Sequence, residues 1–260
     1  MATYIFDGTL TGLLSCVFRA FQFKQFDASL SMQKAPQIAL FDPDVIEVTA
    51  NAEHAQRVWS ALKKKVNRQS LRSFYFTSLA ENDEAFNHMF GFAVYVFQHG
   101  VAVDQNYGHP NVLGIAQWAK QVGREKHRME AFVRFKKCQD GLFLSLVQPD
   151  FNVLPIIAQH FVQRYQDQRW LIYDEKRDFG IYYDLTQLYQ VKLHAQEVDR
   201  NIANGHSQAF LLDLDQDEPL YDQLWKAYFR SVNIQARTNL KLHIQYVPKR
   251  YWRYMNEKQL

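Results

Sequence analysis

Cysteine is nearly missing: Cys16 and Cys138 are the only two, far apart and without a CxxC pair. Iron–sulfur clusters and structural zinc sites are therefore not expected. The ten glycines form neither GxGxxG nor GxxxxGK[ST], so the chain has no phosphate-cradling loop and ATP hydrolysis is not expected. HExxH, a paired DxD with a following acid, and HxE beside CxxC are also missing, which removes the common metal-hydrolase and deaminase signatures. His194 and His206 lie in polar sequence and read as surface residues. The tract DFGIYYD around Asp178 lacks the HRD loop, glycine-rich loop and strand lysine that would make it a kinase element. No run approaches the roughly 18 apolar residues of a membrane span. Asp7 and Arg19 break up the amino-terminal apolar positions, so the basic-then-apolar order of a secretory signal is not found. The expectations are no metal or cofactor, no membrane, and a reduced cytoplasmic setting.

Aromatic residues are plentiful, at 15%, and the net charge of +3 is unevenly spread. Between Lys226 and Lys258 eight Lys or Arg face a single acid, Glu257, and the run, with Trp225 just before it, also holds Tyr228, Phe229, Tyr246, Tyr251, Trp252 and Tyr254. Interleaved cations and rings neutralise phosphates and stack bases. The same composition also describes core rings beneath a solvated face.

The hydrophobic pattern predicts strands at 4–6 and 45–48, a helix capped by Thr9, and helices over 52–62, 71–80 and 84–97, the first of them opened by Asn51 or Glu53, with polar breaks near 67–70 and 81–83. A loop at 99–110, with Gly100, Gly108 and Pro110, ends this helix-rich lobe. Asn111 can cap a helix to about Arg128, followed by strands at 131–135 and 142–147 and a helix from Asp150 or Asn152 with Pro155 in its first turn. Strands at 170–173 and 179–183 then form a hairpin. The order α-β-β-α-β-β favours an antiparallel sheet covered by helices, an α+β fold. The polar stretch 199–218 reads as a linker and 221–232 as an amphipathic helix. The domain expectation is a helix-rich lobe over 1–110, an α+β unit over 111–220, and a basic aromatic segment over 221–260 packed on the core.

Residues 120–137 hold seven Lys or Arg against Glu125 and Glu130. Arg124, His127 and Arg128 sit near the helix carboxyl end, where cations complement the dipole. Arg134 falls on the outward face of the strand expected at 131–135. His160 and Arg164 are four apart on the next helix and can project toward Arg134 or Asp174. Three readings stay open. The arginines grip a phosphate or carboxylate. Alternatively, His127 or His160 relays a proton beside a charge-stabilising arginine. In the third, Arg128, Arg134 and Arg164 form a buried ion-pair network with Glu130, Asp174 and Asp178.

The tracts YIFDGTLTGLLSCVFRAF, EKHRMEAFVRF, PDFNVLPIIAQHFVQR, IYDEKR and WKAYFRSVNIQARTNLKLHIQYVPKRYW together resemble an uncharacterised bacterial family called the "probable DNA metabolism protein" family, over nearly the whole chain. Relatives accompany a radical SAM protein associated with DNA repair or modification, and similar domains occur fused to a uracil-DNA glycosylase domain. This chain lacks the cluster-binding cysteine triplet of radical SAM enzymes and shows no glycosylase motif, so the resemblance implies a DNA-binding accessory protein beside such partners. An enzyme acting on DNA itself and a protein-interaction scaffold are the alternatives. The matching positions are His127, Arg128, Arg134, His160, Arg164, Asp174 and Arg177, with Arg237, Asn239 and residues 248–252 in the tail. The family's reaction is not established, so no catalytic role comes with them. The candidate nucleic-acid or anion contacts are Arg128, Arg134, Arg164, Arg177, Arg237, Lys249, Arg250 and Arg253. His127 and His160 are the acid/base candidates.

Overall fold

The computed structural model describes residues 2–32, 44–100, 103–192, 246–255 and 258. The expected linker at 199–218, the helix at 221–232, His194, His206, Arg237 and Asn239 lie outside these residues. The chain divides into two compact units, Met1–Arg124 and Glu125–Leu260.

In the first unit, β1 (Thr3–Ile5), β2 (Ser29–Ser31) and β3 (Val45–Glu47) form a parallel sheet in the order β2-β1-β3. Tyr4 lies between Leu30 and Ile46 in register. Helices α1 (Leu10–Phe23), α2 (Ala52–Lys65), α3 (Arg68–Ser78), α4 (Asp83–His99) and the first half of α5 (Pro110–Phe132) make up the rest. Thr9, Asn51, Asn67 and Asn82 cap the first four, each side chain accepting from the amide three residues on. Such oxygens satisfy amides that the helix itself leaves open. Tyr4, Leu13, Val17, Leu62, Phe74, Phe86 and Phe92 form the core.

β2 was not foreseen, because Ser29-Leu30-Ser31 shows a single apolar residue. Its outer edge is held by side chains of α4. Asn87 accepts from the Leu30 amide and donates to the Leu30 carbonyl, both at 2.8 Å, and Asp83 accepts from the Met32 amide at 2.8 Å. A short amide thus stands in for a fourth strand at two backbone groups that burial would otherwise leave without partners.

In the second unit, β4 (Lys136–Lys137), β5 (Phe143–Val147), β6 (Trp170–Asp174), β7 (Phe179–Tyr183) and β8 (Leu188–Val191) form one sheet in chain order. α6 (Leu154–Arg164) lies between β5 and β6 in the chain, and a short 3₁₀ helix spans Lys249–Tyr254. The α+β class and the helix-rich first part stand. Three details differ from expectation. β5 and β6 pair parallel, because α6 carries the chain back to the starting edge, whereas a hairpin could only return antiparallel. The stretch 131–135 is not a strand, since α5 runs on to Phe132 and its buried residues Val122, Glu125 and Met129 keep helical spacing. α6 also begins at Leu154, after Val153, with no side-chain cap and with Pro155 in its first turn.

Strand alternation gives the sheet two faces. Trp170, Ile172, Ile181 and Tyr183 share one, where Trp170 meets Phe135, Phe161 and Tyr183 ring to ring. Leu144, Leu171 and Tyr182 lie on the other with Cys138. Among the described residues no helix is long and apolar enough to cross a membrane.

Candidate functional site

The parallel pair β5–β6 ends at Val147 and Asp174. The carboxyl ends of parallel strands are where α/β sheets open a crevice. Here that edge carries the loop from Gln148, the turn from Glu175 to Asp178, the last turns of α5 and the 3₁₀ helix. Charged side chains from all four meet there.

Glu125 is the centre. It lies on the core stripe of α5 and is only 1% exposed. The Tyr251 hydroxyl and the Asp150 amide (2.9 Å) both donate to its Oε1. Arg128 and Arg250 each place a guanidinium nitrogen 3.5 Å from its Oε2. Arg250 Nη2 also lies 2.6 Å from Asp150 Oδ2 and donates to the Tyr251 hydroxyl at 2.6 Å. Burying a carboxyl group without such donors is costly, and here each of its oxygens has partners.

Asp174, fully buried, anchors the second half. Arg177 donates to its Oδ2 at 2.9 Å and the Lys176 amide to its Oδ1 at 2.9 Å. The same guanidinium reaches back to the Pro149 and Asp150 carbonyls at 3.1 and 3.0 Å, stitching the two loops together. Burial raises the Asp174 carboxyl above its ordinary value, outweighing the opposing effect of Arg177 and the amides. One residue on, Glu175 accepts from the Tyr254 hydroxyl at 2.5 Å and meets Arg253 at 3.5 Å. Arg253 also donates to Gln148. Burial, reinforced by Glu125 and Glu175, holds the Tyr251 and Tyr254 hydroxyls well above their usual range, so both stay protonated donors. Met129, Phe132, Val147, Gln148, Tyr251 and Tyr254 line a small hollow below.

Of the sequence-read site residues, this edge gathers Arg128, Arg177, Arg250 and Arg253. Lys249 sits beside them on the 3₁₀ helix, exposed, with its ammonium 6.0 Å from the Trp252 ring. The others have different surroundings. Arg134 donates to the Ala131 and Val133 carbonyls at the end of α5. Arg164 is exposed and lies over the Tyr165 ring. His127 is exposed. His160 turns Nδ1 toward Glu130 at 4.0 Å, and Glu130 also pairs with Lys126. The His160 Nε2 is buried with no hydrogen-bond partner among the described residues. Glu125 was not singled out from sequence, and Tyr251 was named only as one ring of the tail within the matching positions 248–252. The signal was available: Glu125 falls three residues after Val122 and four before Met129, so a carboxylate occupies an apolar stripe. Among the described residues no group of three or more His, Cys, Asp or Glu side chains is placed to hold a metal ion.

A family match covers residues 83–257 and is described as a domain of unknown function, DUF4130. The chain belongs to that family. The match takes in α4, α5, the whole five-stranded sheet and the 3₁₀ helix, so the Glu125 edge lies within the family's domain. No curated protein and no solved structure matches the chain.

Proposed function

We propose that this protein is a DNA-binding accessory protein in DNA repair or modification, acting beside a radical SAM partner enzyme. The observation that carries this reading is the mounting of the 3₁₀ helix. Buried Glu125 holds Tyr251 from below, while Lys249, Arg250 and Arg253 remain exposed on the same short element next to Trp252 and Tyr254. Cations fixed among rings on a braced turn lose little freedom when they meet phosphates and bases. The partner, and the link to uracil-DNA glycosylase domains, rest on the family resemblance alone.

A second reading, catalysis on DNA, is favoured by one observation: the His160 Nε2 is buried and has no partner among the described residues. A substrate group would complete its hydrogen bonding, as a proton relay requires.

Fluorescence anisotropy with lesion-bearing and plain oligonucleotides separates the two. The Lys249→Ala/Arg253→Ala variant is expected to bind roughly tenfold or more weakly, in line with two lost phosphate contacts, while His160→Ala binds as wild type and product formation is nil in both. Turnover that wild type shows and His160→Ala loses would overturn the accessory reading in favour of catalysis.

A further inference from the structure

From His54 to Ala80 the chain carries six Lys or Arg and no Asp or Glu. These residues form α2 and α3, and Arg57, Lys63, Lys64, Arg68 and Arg72 are exposed on them. Among the described residues none of the six lies within ion-pairing distance of a carboxylate. The helix dipole accounts for Lys63, Lys64 and Lys65 in the last turn of α2. It does not account for Arg68 and Arg72. Arg68 is the first residue of α3, whose first turn holds no acid, so its cation faces the positive end of the dipole. Arg68 and Arg72 are also a like-charge pair at i, i+4, which weakens a helix. Helix electrostatics gain nothing from that arrangement.

Several of these cations are already held in place. Arg57 lies over the Phe18 ring at 5.1 Å, Lys63 over Trp59 at 5.6 Å, and Arg72 over Phe76 at 4.7 Å. A stacked cation has lost part of its freedom before a partner arrives.

We propose that α2 and α3 form a second polynucleotide-contacting face, one that meets the DNA phosphate backbone. A helix that inserts into a membrane surface carries large apolar side chains beside its cations, and none of the exposed large hydrophobic residues lies between Ala52 and Ala80. A polyphosphate backbone requires only the cations. The inference rests on the DNA-binding reading above but assigns contacts to a different unit of the chain.

The test uses the full chain, a labelled oligonucleotide and a salt series. In one variant Lys63, Lys64 and Arg68 are changed to Glu; in a second, Lys249 and Arg253 are. The first is expected to lose at least about tenfold in affinity, with a log K against log salt slope shallower by roughly 2 to 3, three contacts at 0.7 to 0.9 each. All three side chains are exposed, and circular dichroism should show an unchanged fold. Wild-type slope and affinity in the first variant, with loss only in the second, would overturn this proposal and leave the C-terminal reading standing. No DNA binding by wild type would overturn both. Binding to phosphatidylserine vesicles in place of DNA would show that the cationic face serves a membrane, against the proposal.

Discussion

Glu125 is nearly solvent-free yet shared among Tyr251, Arg250, Arg128 and the Asp150 amide. Its consequence for stability is asymmetric, because removing a donor strands a buried charge. Tyr251→Phe should lower stability by about 1–3 kcal/mol, the cost of leaving a buried acceptor short of its partner, read as a lower urea midpoint. A midpoint equal to wild type would mean that the phenol does not brace the site. Asp174 gives a pH-dependent counterpart. Its raised carboxyl means that the folded chain keeps the proton longer than the unfolded chain. The associated stability is fully present below the unfolded value, about pH 4, and is lost as pH rises through the higher folded value. Urea midpoints across the mildly acid range should therefore fall with rising pH more steeply in wild type than in Asp174→Asn. A steeper fall in the variant would show that Arg177, not burial, governs this group. Sequence named Asp174 and Arg177 among the positions matching the family but aimed His160 and Arg164 toward Arg134 or Asp174, and it missed Glu125, because a carboxylate amid seven cations reads as charge balance until its apolar neighbours at helical spacing are counted.

The caps at Thr9 and Asn51 and the hairpin at 170–183 were legible because their causes are local, whereas the caps expected at Asn111 and at Asp150 or Asn152 did not form. Thr9, Asn51, the break at 67–70 and the turn at 175–178 all depend on residues within four positions of one another. What sequence did not show depends on distant partners. The parallel β5–β6 pairing follows from where α6 returns the chain, and β2 exists because α4 supplies Asp83 and Asn87 to its edge. That second cause is testable. Asn87→Ala removes both hydrogen bonds to Leu30 from a strand of only three residues. A loss of about 1–3 kcal/mol is expected, the cost of leaving buried groups unpaired, with faster amide exchange at Leu30. Exchange at Leu30 unchanged from wild type would mean that the strand holds without its side-chain edge.

At the scale of the whole molecule, the DUF4130 match over residues 83–257 spans α4, α5, the five-stranded sheet and the 3₁₀ helix. Exposed cations occur in both units, on α2–α3 and on Lys249–Tyr254. A small net charge of +3 conceals this, since acids elsewhere balance the total. DNA engagement through phosphates is the central claim, and the salt dependence of binding by the wild-type chain tests it most directly. Fluorescence anisotropy against single- and double-stranded oligonucleotides should give an affinity that falls linearly in log–log form, with a slope of roughly −0.7 to −0.9 per phosphate contact. Absence of binding at the lowest salt, or an affinity indifferent to salt, would contradict it.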